Sequence, residues 1–418
     1  MRKFRVLALA APWVVLMIPG ASGAAGHGPP AAAPRGSYLY VWAGDADEKD
    51  SDFLAVIDAR PGQPGYGKVV ATLPVGASAT MPHHVEYETP PGNVLVVNGW
   101  KAGHTFLVDL ANPLEPKLAG QFKSAAGYTY PHSFARLPNH NILAVFQSAG
   151  EKYAPPGGLV ELDPAGRPLR SASSATADIP TDLNWPYSLA VQADLDRVVT
   201  TSTDMGMPPF EEWQTHDTRH VQVWSLGDLK LLASVPLPES GKGRHHIWPA
   251  EPRVLADGTV YVNTFTCGLY RLTDLDKAKP KAEFVHAFPG GTSFHDMCFV
   301  PVVMGKYWVQ PVPALPGLIV LDVGDPARPV EVSRFKLDAR YHMPHWLAAD
   351  RSSDRIVMTG DSGSWVLVLK LDPKTGTLAI DPTFRDPGAA SAGVNFDRAE
   401  WPHGKTGKAV VHGAVFSN

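Results

Sequence analysis

The chain has 418 residues, 37 Lys and Arg against 41 Asp and Glu, a net charge of −4, 16 His and 2 Cys. Its 44% apolar content supports a large core and excludes a disordered chain, and 40 Pro and 38 Gly without a Gly-X-Y period exclude collagen. The mildly negative balance gives no basic field for nucleic acid, and two cysteines build neither a disulfide scaffold nor a Cys-rich zinc site.

The N-terminus reads as a targeting segment. Arg2, Lys3 and Arg5 precede an apolar run at 6–18, and small residues follow at 20–24. A spanning helix needs about 20 apolar residues, so 1–25 is read as a secretory signal peptide. No later stretch is long enough to span a membrane. The mature chain, 26–418, is expected to be one domain, periplasmic or secreted.

From residue 38 onward one phrase recurs: an apolar strand that usually ends near Asp, then a polar turn, then another strand. The copies are 55–58, 106–109, 160–163, 221–225, 269–273, 319–322 and 368–372, their last residues 51, 54, 62, 48, 49 and 50 apart. A strand-like run follows each copy (69–75, 117–122, 168–172, 229–237, 282–288, 330–337 and 377–384). A run rich in Val, Ile or Tyr precedes each (38–42, 94–97, 142–146, 198–201, 260–265, 307–309 and 356–359). A short segment opens each later unit: Met81-Pro82-His83-His84, Tyr130-Pro131-His132, Trp185-Pro186-Tyr187, Arg244-His245-His246, Phe294-His295 and Met343-Pro344-His345. Four strands in each of seven units, with no 3.6-residue apolar period, predict an all-β, seven-bladed β-propeller. The first unit lacks its opening strand and the run at 408–417 lacks later strands. Pairing the N- and C-terminal strands closes the ring and removes an open edge.

The first strand of each propeller blade lines the central axis, so residues at its start converge. That brings together His83, His84, His132, His246, His295, His345 and, in the closing strand, His412 in preference to His403. Buried imidazolium ions would repel, so these rings must stay neutral or bind something. Neutral imidazole suits Zn, Cu, Fe and Ni, whereas Ca and Mg want oxygen. The candidate cofactor is copper, with iron as the alternative. Asp296 is a candidate acceptor orienting a ligand histidine. Tyr187, standing where other blades carry His, is a candidate proton donor. Neighbouring aromatics, Trp185 and Trp346 among them, would wall a pocket for a small-molecule substrate. Glu86 reads as a solvent-facing strand residue. Cys298, three residues after His295, offers a soft thiolate near the metal, but Cys267 and Cys298 read rather as buried and inert; the compartment allows a disulfide, but spacing does not give one.

His83-His84, the phrase Leu107-Val-Asp-Leu-x-x-Pro-x-x-Pro-Lys-Leu118 and the axial histidines resemble the selenium-binding protein/methanethiol oxidase family. That resemblance implies a seven-bladed propeller. For bacterial members it implies export, copper and oxidation of methanethiol to formaldehyde, hydrogen sulfide and hydrogen peroxide. His83, His84, His132 and His412 match the family's histidine positions best. The family's Cys-rich segment after the double His is missing; the chain here reads Val85-Glu-Tyr-Glu-Thr89. An alternative resemblance, of Phe294-His295-Asp296-Met297 to carotenoid-cleaving dioxygenases, implies Fe(II) on axial histidines. The third class is a non-catalytic periplasmic propeller that binds metal or a partner.

Overall fold

Each repeat folds into one antiparallel sheet, and the described residues form seven such sheets. The computed structural model describes residues 34–206, 217–241, 246–341, 343–361 and 363–418; the segment 1–25, expected to be a signal peptide, lies outside them. The second blade shows the plan. Pro82–Val85 is innermost, followed outward by Val94–Gly99, His104–Asp109 and Lys117–Phe122. Inner and middle strands are covered by neighbouring blades on both faces, so they read as continuous apolar runs such as Phe53–Asp58, buried throughout. Outermost strands face solvent on one side and alternate, as in Val330–Lys336. Fully buried tryptophans tie blades together: Trp42 donates its indole N–H to the Asn98 carbonyl (2.7 Å) and Trp346 to the Ala414 carbonyl (2.8 Å).

The ring closes as the sequence implies. Ala409–Phe416 is the inner strand of the first blade and pairs with Tyr38–Asp45, Leu39 opposite Phe416 and Asp45 opposite Ala409. Gly413 is required there, because a Cβ would stand 2.8 Å from the His83 carbonyl oxygen. That close approach sets the closing strand against the second blade.

Four blades open with the same backbone device. Met81, Tyr130, Trp248 and Met343 have φ of 58°, 56°, 61° and 51°, and each directly precedes a proline. Left-handed backbone is costly for bulky residues and is kept only where the surroundings fix it. Here it turns the chain sharply into the axis, and the proline is the first residue of the inner strand in the second, fifth and seventh blades and lies inside Tyr128–Arg136 in the third. The sixth blade has no such proline. Its register follows from an asparagine brace: Asn263 donates to the Cys298 and Phe299 carbonyls as Asn98 donates to those of Pro131 and His132. Phe299 thus stands where His132 stands. Cys267 and Cys298 form a disulfide between the fifth blade and the entry to the sixth.

Candidate metal centre

The residue after the opening proline is His83, His132, Tyr187, Ala250 or His345, and the next is His84, Ser133, Ser188, Glu251 or Trp346. With His412 on the closing strand and Phe299 in the sixth blade, these residues form two layers around the axis. Five imidazoles make a continuous arc. Ring centroids are 4.3 Å apart for His84–His132, 4.5 Å for His83–His84, 4.2 Å for His83–His412 and 4.3 Å for His345–His412. All five are buried. Burial, reinforced by the neighbouring imidazoles, holds His83 and His84 well below the ordinary histidine value. Burial pushes His132, His345 and His412 down to about 3. The whole arc is therefore neutral at physiological pH.

The hydrogen bonds fix which ring nitrogens are bare. His132 Nδ1–H donates to the Tyr187 carbonyl (2.7 Å), so neutral His132 presents an unprotonated Nε2. That atom lies 3.0 Å from His83 Nε2. His84 Nδ1 is hydrogen-bonded with the Ser133 hydroxyl at 2.8 Å. His83 Nδ1, His84 Nε2, both nitrogens of His345 and Nδ1 of His412 are buried without a hydrogen-bond partner among the described residues. Unpartnered buried polar atoms are costly, and a transition ion is a ligand that would satisfy imidazoles so placed. Donor atoms of His83, His84 and His132 lie within 4.8 Å of one another, and so do those of His345, Asp361 and His412. The residues present fit a metal held by imidazole.

The remaining candidates expected from the sequence lie elsewhere. His246 precedes the inner strand Pro249–Val254; its Nδ1 bonds the Thr266 carbonyl (2.8 Å) and its ring stacks on Phe284. His295 is exposed in a single 3-10 turn, Phe294–Asp296. The structure brings neither into the arc, because both precede the true start of their inner strands. The segment carrying the dioxygenase resemblance is thus off the axis. Asp296 does not orient a ligand histidine; its carboxylate accepts from the backbone N–H groups of Thr292 and Ser293 and caps its own turn. Glu86 is buried, not solvent-facing, and pairs with Arg136 at 2.9 Å. His403 sits at the outer part of the first blade beside Thr72. Tyr187 is buried on the axis, 4.1 Å from His132 between ring centroids, and burial raises its phenol well above the ordinary value. The disulfide removes Cys267 and Cys298 as thiolate ligands.

Sequence reasoning missed Glu251 and Asp361. Glu251 is buried, and its Oε2 accepts from the Tyr87 hydroxyl (2.6 Å), the Ser188 hydroxyl (2.8 Å) and Arg253 (3.0 Å). Its Oε1 points at His84 Nε2 from 3.8 Å. Arg253 lies over the Tyr87 ring, and Trp346 stacks on the other side of Tyr87. This group separates the imidazole arc from a cavity of about 480 Å³ at the end of the axis, lined by Tyr87, Arg253, Leu189, Val302 and Leu347. The signal for Glu251 was available: it follows an opening proline by two residues, as His84 does.

The fold and site define an all-β, seven-bladed propeller with a histidine centre on its axis. Comparison with known proteins agrees. A hypothetical selenium-binding protein of Sulfolobus tokodaii superposes with a TM-score of 0.73 at 18% identity, over 92% of this chain and 94% of that one. The periplasmic gluconolactonase of Pseudomonas aeruginosa follows with a TM-score of 0.58 at 13% identity, over 91% and 99%. At these identities the likeness shows the fold. A methanethiol oxidase of Hyphomicrobium sp. is 33% identical over 136 residues, covering 27% of this chain and 30% of the relative. No family model matches the chain. The relatives found fit the selenium-binding protein/methanethiol oxidase family.

Proposed function

We propose that this protein is an exported, copper-dependent oxidase of a small thiol or related sulfur compound. The observation that carries the reading is the arc of five buried, neutral imidazoles with unpartnered nitrogens, in a chain that matches part of a methanethiol oxidase. His83, His84 and His132 would hold the metal. Bound there, copper supplies one-electron redox chemistry between a thiol and dioxygen.

The chain's own residues prepare the rest. Ser133 fixes the His84 ring through Nδ1, and the Tyr187 carbonyl fixes His132 in the tautomer with a bare Nε2. Tyr187, Phe265 and Phe299 face the arc from the far side and offer an apolar wall that excludes water and takes a methyl group. The Tyr187 phenol keeps its proton and so acts as a donor. The Cys267–Cys298 disulfide supports an oxidising compartment, as does the signal-like segment. Among the described residues no helix is long and apolar enough to cross a membrane.

Metal analysis of protein purified from its native compartment, with oxygen uptake on methanethiol, tests this. Copper with thiol-dependent uptake is expected. Metal without uptake defeats the oxidase and favours a metal-binding propeller; no metal defeats the whole reading.

A further inference from the structure

Two sets of donor atoms meet on the axis. One is all imidazole: His83, His84 and His132. The other is mixed: His345, Asp361 and His412, again with donor atoms within 4.8 Å of one another. We propose that the mixed set is a second metal site, taking a divalent first-row transition ion. The inference rests on reading the axis as a metal centre and adds an ion of different chemistry to it.

Backbone bonds lock the three donors in place. The Asp361 N–H donates to the Met343 carbonyl (2.9 Å), two residues before His345, and Pro344 pairs with Gly360. On the other side the Val411 N–H donates to the Gly363 carbonyl (2.9 Å), one residue before His412. Asp361 is therefore tied by its backbone to the residues that open the strand of His345, and Gly363 to the strand of His412. Such anchoring is what a preorganised metal site needs.

Asp361 also breaks the repeat. The same bond to the residue before the opening proline is made by Trp100 to Met81, Thr203 to Trp185 and Phe265 to Trp248. Those blades place an uncharged side chain there. The seventh blade places a carboxylate beside two buried imidazoles, one with both ring nitrogens unpartnered and the other with a bare Nδ1. A carboxylate at this position adds the charge that balances a cation. Two imidazoles and one carboxylate with positions left open form the donor set of divalent iron, cobalt and zinc. The all-imidazole set carries no formal charge, so the two sites differ in the ion they hold best.

The test uses the full chain, stripped with a chelator and equilibrated with cobalt(II) alone. Bound metal is counted per chain and the visible cobalt bands are recorded. The wild type is expected to bind two equivalents, and Asp361→Asn and His345→Gln one each, with the carboxylate-site bands lost. His132→Ala is expected to lose the other equivalent and keep those bands. Asp361→Glu should restore binding, and thermal melting shows that each variant is folded. Two equivalents retained in Asp361→Asn overturn the proposal. So does a wild type holding one equivalent that His132→Ala abolishes, which leaves the single-site reading standing. No cobalt in the wild type overturns both.

Discussion

The axis has two halves built by one backbone. Seventh, first, second and third blades, consecutive around the ring, place His345, His412, His83 with His84, and His132 there. Fourth, fifth and sixth place Tyr187, Ala250 and Phe299 at the matching positions. The apolar half packs as ordinary core around Trp248 and Phe265. The imidazole half buries nitrogens that no described protein group satisfies. The difference teaches that the propeller supplies convergence to every blade alike, and that side chains alone decide which blades pack and which bind. A buried polar group left unmatched costs stability, so the imidazole half is the half in which a ligand gains most.

Removing a whole axial strand should break this most completely. Deleting 409–416 takes away His412 and leaves Tyr38–Asp45 as an open inner edge in the first blade. The truncated chain is expected to lose cooperative thermal melting. A truncation that melts like the intact protein would show that closure does not hold the ring.

Paired substitutions across the two halves come next. Phe299 and His345 are neighbours, 4.3 Å between ring centroids. Phe299→Ala should cost about 3–5 kcal/mol in urea unfolding, as large-to-small core changes do, with metal retained. His132→Ala should instead lose metal, and in the metal-free protein it should also cost stability, because it empties a buried site and leaves the Tyr187 carbonyl without its donor. Equal metal losses in the two variants would erase the distinction between the halves.

Acid should separate the halves more gently. His132, His345 and His412 are held near 3 in the folded chain, against 6.5 unfolded. Between those values the unfolded chain binds protons that the folded one refuses, so stability falls as pH falls from 6.5 toward 3. The metal-free protein should melt progressively lower across this window, each of these histidines contributing up to about 1.4 kcal/mol per pH unit. His132→Phe should melt with a shallower pH slope, because one of the refused protons is gone. An unchanged slope would mean that His132 titrates normally in the folded state.

Much of this was legible in the sequence, for a physical reason. Propeller strands sit between like neighbours, so the Asp-terminated phrase repeats and the runs around it fall on observed strands; 117–122 is Lys117–Phe122. The axial histidines were legible where a proline marks the turn into the axis, at Pro82, Pro131 and Pro344. Where histidine itself was taken as the marker, the register slipped. His245-His246 drew the fifth opening ahead of Pro249, which hid Glu251. Phe294-His295 drew the sixth ahead of Phe299. Asp361 was illegible for another reason: it follows a second strand and reaches the axis only through its backbone bond to Met343.

The smallest change sits on the boundary between the halves. Tyr187 belongs by position to the apolar blades, yet its ring lies against His132 and its carbonyl fixes that histidine's tautomer. Tyr187→Phe keeps the ring, the backbone carbonyl and the packing against Phe265, and removes only the hydroxyl. Stability should therefore change by less than about 1 kcal/mol, and metal content should not change. If the phenol donates a proton during thiol oxidation, turnover should fall about tenfold, equivalent to about 1.4 kcal/mol. Oxygen uptake on methanethiol with metal-replete protein reads this directly. Full activity in the variant would assign Tyr187 to the apolar half alone. Lost activity together with lost metal would place its effect on His132, through the carbonyl that the substitution was meant to spare.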